Sequence, residues 1–178
     1  MNKENYKIRL KNITTFIFDV DGVLTDGKIL ITSDGGMLRL VDTKDGFAIK
    51  YAIDNGFKIS IISGGTNDAV KNRLKSLGIN DIYLGSHNKI NSYTDLLKKY
   101  DLSPDEILYM GDDMPDIPVM KKIGVSTCPQ DAASDVKNIV DYISHKNGGQ
   151  GCVREIIEQV LRVQNKWRFS NWSSGEKF

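Results

Sequence analysis

Short apolar runs alternate with amphipathic stretches along almost all of this chain, and no other feature narrows its possible folds as far. Ile13-Thr-Thr-Phe-Ile-Phe18, Lys58-Ile-Ser-Ile-Ile62, Asp81-Ile-Tyr-Leu84, Ile107-Leu-Tyr-Met110 and Gly124-Val-Ser-Thr127 read as strands. Between and after them, residues 45–55, 67–77, 90–100 and 152 to about 165 carry apolar side chains at helical spacing, and Gly56 and Gly78 close the first two. A short helix to Lys122, a weak one over 132–138 and a last strand at Tyr142-Ile143 complete the series. Ser103-Pro-Asp-Glu106 has the spacing of a capping box. Alternation of this kind predicts an α/β fold: a Rossmann-like, mostly parallel sheet with helices on both faces. One segment breaks the pattern. Residues 28–32 and 37–41 flank Ser33-Asp-Gly-Gly36, which predicts a β-hairpin inserted after the first strand.

A chain of 178 residues suits one domain over 1–178. The core is expected over about 12–165, with the polar start and the tail 166–178 mobile. Lys and Arg total 24 against 23 Asp and Glu, so there is no basic field and nucleic acid is excluded as a partner. No apolar run approaches the roughly 20 residues a membrane helix needs. Cys128 and Cys152 stand far apart without a CxxC, which suits reduced core thiols. With a start unlike a secretory signal, this predicts a soluble cytoplasmic protein. Trp167, Phe169 and Trp172 belong either to a mobile tail or to an anchor on a partner subunit.

The first strand runs directly into Asp19-Val-Asp-Gly-Val-Leu-Thr-Asp-Gly27. Carboxylates at the end of a buried strand are costly unless a cation neutralises them, and a divalent metal is the first suspect. In an open α/β sheet the carboxyl ends of the strands are also where ligands bind. Three further groups end strands or start helices: Ser63 with Gly64 and Gly65, then Lys89, then Asp112, Asp113 and Asp116. Parallel strands should bring the first, second and fourth of these groups to one edge.

Phosphoryl transfer gives each residue a task. Asp19 would attack phosphorus, and Asp21 would protonate the leaving alkoxide and then activate water. Mg²⁺ would sit on Asp19, the backbone carbonyl of Asp21 and Asp112. Ser63 and Lys89 would hold phosphate oxygens, while Gly22, Gly64 and Gly65 leave amides open to them. Each element alone has a plainer reading: a DxD turn, a helix cap, a solvated lysine. Their order and spacing together point to catalysis. His87 and His145 lack ligand-spaced partners and suit surface or hydrogen-bonding roles rather than metal.

These motifs resemble the haloacid dehalogenase superfamily of phosphotransferases, matched in order by Asp19-Val-Asp21, Ser63, Lys89 and Gly111-Asp-Asp113. Thr43-Lys-Asp-Gly-Phe47, Gly111-Asp-Asp-Met-Pro-Asp116 and Gly148-Gly-Gln-Gly-Cys-Val-Arg-Glu155 narrow the resemblance to a capless subfamily. Its members remove the 8-phosphate of a keto-deoxy octulosonic acid, a lipopolysaccharide precursor. Relatives acting on nine-carbon 9-phosphates share most of these motifs. The resemblance implies a Mg²⁺-dependent enzyme acting on a small sugar acid phosphate. It also implies a homotetramer whose hairpins associate, so that no large cap domain is needed. It implies that Asp113 and Asp116 hold metal waters or Lys89. One position departs: many relatives carry Arg where this chain has Gly65, which leaves the substrate carboxylate to another cation, with Lys71, Arg73 and Arg154 as candidates.

Overall fold

The computed structural model describes residues 5–168. Among the described residues eight strands are formed: β1 (Thr15–Phe18), β2 (Leu30–Ile31), β3 (Met37–Leu38), β4 (Lys58–Ile62), β5 (Asp81–Tyr83), β6 (Ile107–Met110), β7 (Val125–Cys128) and β8 (Tyr142–Ile143). Six of them make one sheet in the order β5-β4-β1-β6-β7-β8, every neighbouring pair parallel. β2 and β3 form a separate antiparallel hairpin. The helices are α1 (Tyr6–Arg9), α2 (Thr43–Asp54), α3 (Asp68–Ser76), α4 (Lys89–Tyr100), α5 (Ile117–Met120), α6 (Ser134–Lys137) and α7 (Cys152–Val163).

Every residue of β1, β6 and β7 is buried, as continuous apolar runs in a doubly covered parallel sheet require. Side chains alternate between the two faces. Phe16 and Phe18 join Ile59, Ile61, Leu108 and Met110 in a core closed by Ala48, Ile49, Ala52 of α2 and Ile156, Val160 of α7. Ile17, Ile62, Ile107 and Tyr109 face the other way, onto Tyr93 and Leu96 of α4 and Val119 of α5.

The packing of α7 on α2 includes a buried polar contact. The residue before α7 is Gly151, which has no side chain to cap the helix. Asp45, from the first turn of α2 and 1% exposed, accepts the Arg154 amide at 2.7 Å instead. One helix thereby satisfies an open N–H of the other.

Two features of the ends depart from the sequence reading. The polar start is folded from Tyr6 onward: the Tyr6 ring stacks on Tyr142 at 4.9 Å, and Arg9 pairs with Asp141 at 2.7 Å. Leu10 is fully buried behind them. At the other end Trp167 is buried, in edge contact with Tyr51 at 5.0 Å and Phe47 at 6.4 Å, so it anchors on this chain's own α2. Phe169 and Trp172 lie outside the described residues. No helix among the described residues is long and apolar enough to cross a membrane.

Candidate active site

From β1 the chain passes to β4 and β5 on one side, then returns to fill β6, β7 and β8 on the other. The direction of winding reverses beside β1, and such a switch point opens a crevice at the carboxyl ends of the strands. Asp19 leaves β1 there, flanked by Ser63 at the end of β4 and by Asp112 after β6. Lys89 arrives as the first residue of α4. All four line one cleft of about 370 Å³, together with Asp21, Gly64, Gly65, His87, Asp113 and Asp116.

Lys89 is the hub of this cleft and is 4% exposed. Its Nζ donates to Asp19 Oδ2 and to Asp116 Oδ1, each at 2.6 Å. Asp116 Oδ1 also accepts the Tyr109 hydroxyl at 2.5 Å, and its Oδ2 accepts the amides of Asp112 at 3.1 Å and Asp113 at 3.2 Å. One carboxylate therefore fixes both the lysine and the loop that carries Asp112. Asp113 is exposed and caps the short 3-10 turn over Met114–Asp116. Ser63, buried, accepts the Gly65 amide on its hydroxyl at 3.3 Å, and the Ser63 carbonyl accepts the Ser86 amide at 2.9 Å.

The charges are unbalanced. Asp19, Asp112 and Asp116 place carboxylate oxygens within 4.8 Å of one another, with Lys89 as the shared cation. Burial, and then the Asp116 charge, push Asp19 up to about 6 despite Lys89. Burial, and then the Asp19 and Asp116 charges, push Asp112 up to about 7. Burial alone would lower the Lys89 ammonium, but the two carboxylates outweigh it and hold the pKa above the ordinary value. A hard divalent cation with oxygen ligands answers this excess of negative charge. Asp116 is already committed to four hydrogen bonds, so Asp19 and Asp112 are the carboxylates able to hold such an ion.

Asp21 stands apart from this cluster. Its carboxylate is clamped by Arg39 from the hairpin, Nε to Oδ1 at 2.6 Å and Nη2 to Oδ2 at 3.1 Å. The sequence reading did not single out Arg39. Its one signal was a lone charge inside the apolar strand Met37-Leu-Arg-Leu-Val41.

Other expected positions fall elsewhere. The Gly22 amide is directed at the Thr25 hydroxyl at 3.3 Å rather than left open to a phosphate. Its glycine character has another cause: at φ +85° a Cβ would lie 2.0 Å from Asp112 Oδ2, so only glycine lets that carboxylate approach. Lys71, Arg73 and Arg154 do not line the cleft. Arg154 pairs with Glu158 at 2.6 Å and lies over the rings of Phe47 and Trp167. His87 borders the cleft and is exposed, while His145 meets Glu155 at 3.3 Å away from it.

Residues 75–156 match the model of the haloacid dehalogenase-like hydrolases. A 3-deoxy-D-manno-octulosonate 8-phosphate phosphatase of Salmonella typhi is 38% identical over 158 residues, covering 89% of this chain and 84% of that protein. Among solved structures, the same phosphatase from Yersinia pestis superposes with a TM-score of 0.90 at 33% identity, covering 92% and 88% of the two chains. The one from Moraxella catarrhalis, solved with magnesium, phosphate and a KDO molecule, gives 0.88 at 32% identity, covering 91% and 93%.

Proposed function

The chain belongs to the haloacid dehalogenase-like hydrolases, in the group of the 3-deoxy-D-manno-octulosonate 8-phosphate phosphatases, and we propose from this membership that it hydrolyses that sugar acid phosphate in the cytoplasm. The observation that carries the reading is the meeting of Asp19, Ser63, Lys89 and Asp112, from four separate elements, in one cleft.

In this reading the chain over 1–178 acts as one catalytic domain. Asp19 attacks phosphorus, the bond to the sugar oxygen breaks, and an aspartyl-phosphate forms. Asp21 gives its proton to the departing alkoxide, then takes one from the water that hydrolyses the intermediate and restores Asp19. Ser63 and the Gly64 amide hold phosphoryl oxygens, and Lys89 meets the negative charge that builds on them. Asp19 and Asp112, with the backbone carbonyl of Asp21, would hold Mg²⁺, which neutralises charge on the transferring group when bound. Asp116 keeps Lys89 pointed at Asp19.

The hairpin supplies the proposed assembly. Leu30, Ile31, Leu38 and Leu40 are 66%, 70%, 55% and 83% exposed, an apolar surface unsuited to water. We propose that hairpins from four copies bury it in a homotetramer that covers the cleft. Leu40→Asp is expected to yield smaller species by light scattering; an unchanged mass sinks the assignment.

Phosphate release across a panel of sugar acid phosphates with Mg²⁺ tests the substrate. The highest kcat/KM is expected for the eight-carbon 8-phosphate, and a preference for a neutral sugar phosphate overturns it. Gly65 favours one second reading. The side chain missing there enlarges the cleft near Asp21, which would admit a nine-carbon 9-phosphate.

A further inference from the structure

We propose that Arg39 is the specificity residue of this cleft: it exchanges its ion pair with Asp21 for the carboxylate of an incoming sugar acid phosphate. The inference rests on the proposed function and deepens it.

Three observations carry it. A Cβ at position 65 would lie 3.3 Å from Asp21 Oδ2, 3.7 Å from Arg39 Nη2 and 3.8 Å from Ser63 Oγ. Position 65 therefore points at the ground that Arg39 holds, and the hairpin delivers a cation there from another part of the chain. Next, the Arg39 side chain is 7% exposed, yet its Nη1 is buried without a hydrogen-bond partner among the described residues. A guanidinium has five N–H donors in a fixed fork, and Asp21 occupies two of its nitrogens, so capacity remains for another acceptor. Finally, Arg39 lines a small recess whose other walls include Asp21, Ser63 and Gly65, three residues that also line the catalytic cleft. The recess and the cleft share a wall.

The exchange is chemically conservative. One carboxylate leaves the guanidinium as another arrives, so the buried cation stays paired throughout. The exchange frees the Asp21 carboxylate, which lines the cleft beside Asp19. Substrate recognition and release of the acid thereby become one event, and a phosphate ester without a carboxylate does not trigger it. The hairpin is held for this task by a second tie, from Asn67 Nδ2 to the Met37 carbonyl at 3.0 Å.

The test compares two substrates, the octulosonate 8-phosphate and a neutral sugar phosphate such as glucose 6-phosphate. The readout is the ratio of their kcat/KM values in the wild type, Arg39→Ala, Arg39→Lys and the double variant Arg39→Ala with Gly65→Arg. Arg39→Ala is expected to lower the ratio about tenfold or more, mainly through KM for the acid. Arg39→Lys should keep part of the preference, and the double variant should regain part of it. The new arginine has room, because the nearest obstacle apart from the Asp21 carboxylate is the guanidinium being removed. A merely structural arginine would depress both substrates together, and a ratio that survives Arg39→Ala overturns the proposal. A wild type that hydrolyses the neutral ester and not the acid overturns the substrate assignment and this inference with it. That result differs from a selective wild type whose selectivity outlives Arg39.

Discussion

Asp19 and Asp116 both touch Lys89, yet they are built for different work. Asp19 is the carboxylate at the end of the central strand, with its charge opposed by its neighbours. Replacing it by Asn removes the proposed nucleophile and one member of a repelling trio. Phosphate release should fall by about three orders of magnitude or more, while the melting temperature without Mg²⁺ should be no lower than that of the wild type. Asp116 is instead the fastening of the site, bonded to Lys89, Tyr109 and two amides. Asp116→Ala would strand a buried hydroxyl and two amides and leave the buried ammonium with Asp19 alone of its two carboxylates, at a cost of about 3–5 kcal/mol. Denaturant unfolding measures this, and a loss below about 1 kcal/mol would show the clamp to be ornamental. Much of this was legible beforehand, since Asp19, Ser63 and Asp112 each follow a recognisable strand. Arg39 was not, because a side chain's direction in a hairpin depends on how the hairpin docks, which no local periodicity records. Trp167 stood out as an anchor candidate, but its docking on this chain's own α2 escaped for the same reason. Its short flanking segment has no pattern, and its place is set by Phe47 and Tyr51 on a distant helix.

At the scale of elements, the join of α2 to α7 hangs on Asp45. Burial, partly offset by the Arg154 amide and reinforced by the Asp42 charge, pushes it up to about 6. Its Oδ2 has no hydrogen-bond partner among the described residues, so the charge of the ionised form is only partly answered, chiefly by the Arg154 amide. The sign follows from linkage. Between the ordinary value near 3.8 and about 6 the folded protein holds the proton more tightly than the unfolded chain. This group's contribution is therefore largest below the lower value and is lost as pH rises through the upper one, by up to about 3 kcal/mol. Asp45→Asn retains an acceptor for the Arg154 amide and cannot ionise. The stability difference between about pH 4 and pH 7 should shrink by roughly that amount relative to the wild type. Equal pH slopes by denaturant titration would refute this. The helices themselves were legible from their periodicity. Their fastening was not, because it pairs residues more than a hundred positions apart.

Taken as a whole, the molecule concentrates uncompensated negative charge at one point and covers it with loops from both halves of the sheet. Binding of Mg²⁺ to the folded state alone should then raise the melting temperature in proportion to the logarithm of its concentration. Asp112→Asn should flatten that response, and chelation should abolish phosphate release until Mg²⁺ is restored. A melting curve indifferent to Mg²⁺ would contradict the site. The parallel sheet and the place of the cleft could be inferred from alternation and the switch-point rule. The second glycine cluster acquired its reason from the structure. A Cβ at Gly148 would lie 1.9 Å from the Gly22 carbonyl, and the Gly149 amide donates to the Val23 carbonyl at 2.9 Å. The Cys152 thiol reaches the same carbonyl at 3.2 Å. That contact carries a consequence for biosynthesis. A ribosome delivers this buttress more than a hundred positions after the Asp19 loop. The nascent chain thus carries an unfinished catalytic loop until that buttress is made, and phosphatase activity should emerge only after α7 has cleared the exit tunnel and docked.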